Sequence, residues 1–155
     1  PHAGTAYSAG NGYLSEGACC YRYCLTGYCG RPLTIGDQSR VASLTGGEHW
    51  RPDGFRDSLA VRHAAALAQA WRHDALEEHA AVASFGRFVL ELLAFGAPPE
   101  LVRDAAVAVQ DEIRHTQTCL AIAQQLDGTA QGPGPLALHD LTLAPDLAAA
   151  AARRP

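Results

Sequence analysis

The sequence predicts an all-α fold built on one antiparallel pair of long helices. Between positions 58 and 95 the chain contains a single Gly and no Pro, and positions 99–127 contain neither after the initial Pro99. Only the short segment Gly96-Ala97-Pro98 separates the two stretches, so the helices must be antiparallel neighbours. The 155 residues suffice for one domain with a single core.

The first helix is predicted to begin after Asp57 or Ser58, either of which can cap it. It should end at Phe95-Gly96, where Gly favours the C-terminal cap and the following Pro residues prevent continuation. Gly86 costs about 1 kcal/mol in the helix interior, which a long helix tolerates. The predicted apolar stripe, with steps of three, four or seven, is Leu67, Trp71, Ala75, Val82, Phe85, Val89 and Leu92.

The second helix is predicted from about Pro99 to about Leu126, followed by Asp127-Gly128. Pro suits the first turn, and Glu100 favours the positive end of the helix dipole. Two neighbouring apolar rows follow the helical period. The first is Leu101, Ala105, Ala108, Cys119, Ile122 and Leu126, and the second is Val102, Val109, Ile113 and Leu120.

The flanking regions are less regular. Residues 1–57 contain so many Gly and Pro turns that we expect a Cys-, Gly- and Tyr-rich arm of loops, in which extended pieces such as 33–35 can pair. Residues 58–127 form the helical hairpin. Residues 128–155 begin with a Gly- and Pro-rich loop and end in an Ala-rich segment opened by Pro145-Asp146, the predicted start of a third helix.

Composition excludes two classes of partner. The net charge is −4, and all twelve basic residues are Arg scattered along the chain, so the sequence predicts no nucleic-acid binding. No apolar run approaches the roughly 20 residues that a membrane-spanning helix needs.

Four of the five cysteines lie close together in the arm, at Cys19, Cys20, Cys24 and Cys29. Two local disulfides are the favoured interpretation, and they indicate a periplasmic or extracellular location. Position 1 is not Met, which is expected if the chain is processed or incomplete and fits a removed export signal. A thiolate metal site is the alternative, although the spacing lacks the paired Cys-x2-Cys of common zinc modules.

Three ionisable residues interrupt the apolar stripes and are predicted to meet. Glu78 is in phase with Trp71 and Val82, while Glu112 and His115 share one face of the second helix. Ionised side chains in a core need compensation, and carboxylates with imidazole suit iron or manganese. The alternative is a hydrogen-bonded Glu112–His115 pair with Glu78 reaching water. The third, in-phase carboxylate favours a metal site.

The residues around these three positions resemble a known family. Asp74-Ala-Leu-Glu-Glu-His-Ala-Ala-Val-Ala-Ser-Phe-Gly-Arg-Phe, Leu90-Glu-Leu-Leu-Ala-Phe-Gly-Ala-Pro-Pro-Glu-Leu-Val and Asp111-Glu-Ile-Arg-His are similar to the first half of a bacterial ferritin-like protein of the di-iron carboxylate type. The likeness covers roughly residues 70–135 and implies half of a four-helix bundle that holds two metal ions, usually iron.

In that resemblance, Glu78 matches the lone Glu, and Glu112 and His115 match the Glu-x-x-His. The second helix pair, with its own Glu and Glu-x-x-His, has no counterpart here. A second copy, a separate chain or a portion lost by processing is therefore expected to supply it; otherwise a site for two metal ions does not form. The implied activity is an oxidoreductase that uses dioxygen or peroxide once the site is complete.

Four neighbours are weaker candidates. Asp111 could orient a ligating His115 through its second ring nitrogen, although an exposed Asp is equally expected. His79 lies one position off the stripe, where packing beside the site is favoured over ligation. Glu77 points about 100° from Glu78 and is expected to be solvated. Cys119 is expected to be a small buried hydrophobe rather than a thiolate ligand.

The sequence leaves three functions open. The leading hypothesis is a di-iron oxidoreductase, for which no catalytic residue beyond the ligands is identified. The second is a non-catalytic extracellular assembly protein that uses the helix pair as a packing module and the arm for contacts. The third is iron sequestration.

Overall fold

The computed structural model describes residues 6–8, 13–15, 18–20, 23–25, 33–47, 49–50 and 63–152. This part of the chain is mostly helical, and its two long helices pack antiparallel. The helices are α1 (Ala64–Ala94), α2 (Pro99–Asp127) and α3 (Leu147–Ala152). The strands are β1 (Ala6–Ser8), β2 (Tyr13–Ser15), β3 (Ala18–Cys20), β4 (Tyr23–Leu25), β5 (Leu33–Ile35), β6 (Gln38–Arg40), β7 (Leu44–Gly46) and β8 (Gln131–Pro133).

The antiparallel helix pair is confirmed, and three of its four ends follow the local sequence. α1 closes at Phe95, and Gly96 adopts a left-handed φ of 67°. Pro99 opens α2, and Gly128 closes it with a φ of 76°. α1 begins at Ala64, after a left-handed His63, whereas the predicted cap at Asp57 or Ser58 lies outside the described residues.

Small side chains dominate the contact between α1 and α2. One cluster joins Ala68 to Ala123 and Leu126, and a second joins Ala75 to Cys119 and Leu120. Alanine allows two helix backbones to approach closely because its side chain is a single methyl group. The helices are therefore held at short range along their shared face.

Two residues of the predicted apolar stripes are exposed in the described part of the chain. Leu67 is 43% exposed and Leu101 is 52% exposed. Leu67 stands near the start of α1 and Leu101 near the start of α2, where the described chain leaves them uncovered. Helical phase predicts the direction of a side chain but not what covers it.

A β-hairpin packs on the middle of α1. Strands β5 and β6 pair antiparallel, as expected for residues 33–35, around a turn at Gly36 with φ of 61°. Leu33 and Ile35 are buried against Ala80. Leu136 and Leu141, from the segment after β8, also pack on this cluster.

A second sheet joins residues far apart in sequence. β7 pairs antiparallel with β8, and the Thr45 hydroxyl donates to the Gly132 carbonyl at 3.3 Å. The sequence predicted a loop where β8 lies. The strand has no local signal, because the strand with which it pairs, β7, precedes the helical hairpin. The crossing is tight, since a Cβ on Gly134 would lie 2.9 Å from the Thr45 methyl carbon.

The chain after β8 runs back along α1. The backbone N–H of Ala144 donates to Oε1 of the buried Glu91 at 2.8 Å. The expected third helix is present as α3, and the Asp146 carboxylate caps it by accepting from the Ala149 N–H at 2.8 Å.

The described parts of residues 6–25 form two further strand pairs. β1 pairs with β4 and β2 with β3, both antiparallel. The predicted disulfides remain predictions, because the side chains of Cys19, Cys20 and Cys24 and the whole of Cys29 lie outside the described residues. No helix in the described part of the chain is long and apolar enough to cross a bilayer.

A buried arginine ties the start of α1 to the end of α2. The Arg72 guanidinium donates two hydrogen bonds of 2.7 Å to the two carboxylate oxygens of Asp127 and a third of 2.9 Å to the Thr129 carbonyl. This bidentate contact holds the pKa of Asp127 at about 2, well below the ordinary 3.8. The Arg72–Asp127 pair thus joins the two helices at the end of the hairpin that lies opposite the turn.

Asp127→Asn is expected to lower the free energy of unfolding by about 2 kcal/mol at pH 7, because it leaves a buried guanidinium without its counter-charge. Since the folded-state pKa of Asp127 is depressed, the stabilisation is complete above the ordinary pKa of 3.8 and disappears as the pH falls through about 2. Urea unfolding of wild type and variant from pH 5 to pH 2 should show their difference shrinking. Asp140→Asn is the control: this carboxylate is 59% exposed and lies 3.8 Å from Arg40 and 2.9 Å from His139, so its loss should change stability little. A difference that is constant over this range would contradict the assignment.

Candidate metal centre

Three predicted ligands meet midway along the helix pair. Glu78 comes from α1, and Glu112 and His115 come from successive turns of α2. One ligand atom from each residue lies within 4.8 Å of the other two. The antiparallel register places Glu78 of α1 opposite the Glu-x-x-His of α2.

One nitrogen of His115 faces both carboxylates. His115 Nδ1 lies 3.1 Å from Glu112 Oε2 and 3.6 Å from Glu78 Oε2. The two glutamate side chains are largely enclosed, with 14% and 19% of their surface exposed for Glu112 and Glu78, whereas His115 is 57% exposed. The cluster is therefore closed toward the helix interface and open to solvent on the side of His115.

The cluster is short of positive charge. Burial, together with the hydrogen bond and negative charge of Glu112, raises the pKa of Glu78 to about 7, although His115 opposes the shift. Two carboxylates this close cannot both ionise without cost unless a cation lies between them. The arrangement thus has the charge and the donor atoms of a cation site.

Thr116 forms part of the closed side and was not singled out from the sequence. Its side chain is fully buried, and its hydroxyl donates to the Glu112 backbone carbonyl at 2.8 Å. This contact fills the space beneath the ligand turn. A Thr four residues after a candidate ligand is the only signal for it in the sequence, and that pattern is common in helices.

Cys119 is a buried thiol, as expected, and packs with Ala75 and Leu120. Burial, followed by the charges of Glu78 and Asp74, raises its pKa to about 12. Its sulfur is not among the atoms of the Glu78, Glu112 and His115 group, so it lies outside the candidate site.

Asp111 and Glu77 are two further residues that the sequence placed beside the candidate site. Asp111 forms an ion pair with Arg114 on the exposed side of α2. Glu77, which was expected to be solvated, is only partly exposed, and burial raises its pKa. Phase alone put Glu77 on the surface, whereas the neighbouring groups enclose part of it.

His79 packs rather than ligates. Its ring meets Trp50 edge to face with centroids 5.1 Å apart, and it lies outside the ligand cluster. Burial lowers its pKa, which favours the neutral imidazole. Trp50 was not identified from the sequence, because a single Trp in a Gly- and Pro-rich arm carries no periodic signal.

Comparison of the chain with protein-family models, with curated proteins and with solved structures finds no match in any of the three. The ferritin-like resemblance therefore rests on the motif residues alone. The geometry of the three ligands is an independent observation from the coordinates.

Glu78→Gln is expected to stabilise the metal-free protein at pH 8 by on the order of 1 kcal/mol, after allowance for solvent screening. Ionising Glu78 costs stability because its folded-state pKa is raised from 4.5 to about 7. The cost is absent below pH 4.5 and reaches its full value above pH 7, so the gain should vanish in acid. Chemical unfolding in the presence of a chelator measures it. Glu100→Gln, an exposed residue in the first turn of α2, is the matched control and should give no gain. Equal stability of wild type and Glu78→Gln at pH 8 would contradict the account.

Proposed function

We propose that this chain binds a transition-metal ion, iron or manganese, through Glu78, Glu112 and His115. The observation that supports this most directly is the convergence of their three ligand atoms within 4.8 Å, from two different helices. Residues 34 and 37 positions apart in sequence are brought together by the fold, so the cluster does not follow from local helix spacing alone.

The donor set fits iron or manganese better than softer metals. Two carboxylates and one imidazole are ligands of that class, and the nearby thiol of Cys119 lies outside the cluster. A divalent cation would also balance the charge of the two glutamates. A bound ion would therefore reduce the electrostatic repulsion between the two glutamates.

Each ligand has a defined task in this proposal. Glu78 supplies an oxygen from α1, and Glu112 supplies one from α2, so an ion between them links the two helices. His115 offers Nδ1 to the same point, which requires the neutral ring with its proton on Nε2. When bound, iron would supply one-electron chemistry with dioxygen or peroxide, the activity of an oxidoreductase.

We further propose that the site is one half of a ferritin-like four-helix bundle. His115 opens to solvent, and Leu67 and Leu101 are 43% and 52% exposed. Each leucine lies eleven residues, or about three turns, before a glutamate ligand, on the same side of its helix. A second helix pair covering this side would bury both leucines. It would contribute a second Glu and a second Glu-x-x-His, from another copy or from a separate chain.

The chain is expected to bind Mn²⁺ or Fe²⁺ in isothermal titration calorimetry under anaerobic conditions. Glu112→Ala should weaken binding by at least about tenfold, because even residues that only orient a ligand cost that much when removed. Glu100→Ala, which removes an exposed carboxylate from the same helix, should leave binding unchanged.

Absence of metal binding by the wild-type chain, with folding verified by circular dichroism, would overturn the metal proposal. The exposed leucines would then favour the second candidate, a non-catalytic assembly protein that uses the helix pair for packing. If the metal binds without any oxidation of Fe²⁺ by dioxygen, sequestration replaces the oxidoreductase.

If a second copy completes the bundle, the chain should sediment as a dimer, and Leu101→Asp should convert it to a monomer, because a charge would be buried in an apolar contact. Leu138→Asp, at a leucine of similar exposure in the segment after β8, is the control and should remain dimeric. A wild-type monomer at all concentrations that binds metal would instead favour a separate partner chain.

A further inference from the structure

We propose that Trp50, with His79, is a positioning residue that holds the ligand turns of α1 and α2 at metal-binding distance. The inference rests on the proposed metal site. It adds a residue from the N-terminal arm, remote in sequence from the ligands, to the determinants of metal affinity.

Trp50 lies on the helix pair at the level of the ligands. It packs on the cluster that contains Ala75 from α1 and Cys119 and Leu120 from α2. Ala75 is three residues before Glu78, and Cys119 is four residues after His115, so each is about one helical turn from a ligand. Trp50 thus packs beside the site on a cluster to which both helices contribute.

Trp50 meets α1 at His79, the residue after Glu78. His79, which follows Glu78 and points about 100° from it, carries the ring that meets Trp50 at 5.1 Å. His79 Nδ1 is buried without a hydrogen-bond partner in the described part of the chain. The edge-to-face contact with Trp50 is therefore the interaction that holds the His79 ring.

The small sheet backs Trp50 from behind. A Cβ on Gly132 in β8 would lie 3.6 Å from Trp50 Cδ1, which is ordinary van der Waals distance, and Leu44 of β7 packs on the same cluster. The β7–β8 sheet and Trp50 thus pack together on the helix pair beside the candidate site.

Metal affinity depends on holding ligand atoms within tenths of an ångström of the preferred geometry, and side chains that orient ligands change affinity by about 10–100-fold when removed. The solvent-exposed side of the cluster offers no such support in the described part of the chain, because His115 is open there. Trp50 and His79 supply this support through their contact with each other and with the helix pair.

The test compares Trp50→Ala and Trp50→Phe in the full chain. Mn²⁺ affinity is measured by calorimetry, and the visible spectrum of bound Co²⁺ reports ligand geometry. Trp50→Ala should bind Mn²⁺ about tenfold more weakly and alter the Co²⁺ spectrum, and Trp50→Phe should restore both. Leu136→Ala, which removes a packing side chain from the separate cluster around Leu33, controls for loss of stability and should leave both readouts unchanged.

If Trp50→Ala binds Mn²⁺ as wild type does, with the same Co²⁺ spectrum, the positioning role is overturned while the metal proposal stands. If Leu136→Ala weakens binding equally, the effect is one of general stability, and the inference fails. Where Trp50→Ala does not fold, His79→Ala replaces it with the same expected outcome. A wild-type chain that binds no metal overturns the metal proposal and this inference together.

Discussion

The register of α1 against α2 is the constraint on which the rest of the molecule depends. The turn at Phe95–Pro98 is too short to allow sliding, so residues at equal distances from it face each other. Glu78 therefore lies opposite the Glu112–His115 turn. Moving either helix by one residue would rotate its side chains by about 100° and separate the ligand atoms.

Charged side chains then attach the flanking segments to this helix pair. Arg72 reaches the carboxylate of Asp127 and the Thr129 carbonyl, Arg87 donates to the Thr34 carbonyl at 2.8 Å, and Glu91 accepts from the Ala144 N–H. All three side chains are buried. These hydrogen bonds give backbone groups of the arm and tail the partners that they would otherwise need from water. The irregular segments therefore lie on the helices at defined places.

The sequence was sufficient for the parts of the fold that depend on local signals. Gly96, Pro99 and Gly128 mark helix ends through backbone preferences that need no tertiary partner. The convergence of Glu78, Glu112 and His115 was predictable as well, because phase and a short connection determine which residues of two antiparallel helices meet. These features follow from periodicities of the chain itself.

What escaped prediction depends on partners far away in sequence. Strand β8 exists only because β7 pairs with it, and Trp50 is informative only once its contact with His79 is known. The burial of Arg72 and Arg87 also has no local signal, since each is an ordinary helix residue until its acceptor arrives from another segment.

The β7–β8 pairing has a consequence for the order of folding. The contacts between the helices, such as Arg72–Asp127, close a separation of at most about 60 residues, whereas the Thr45–Gly132 contact closes one of 87 residues and costs more chain entropy. The sheet and Trp50 are thus expected to assemble on a helix pair that has already formed. The ligands would be brought near one another first, and their final spacing would be set in the last folding step.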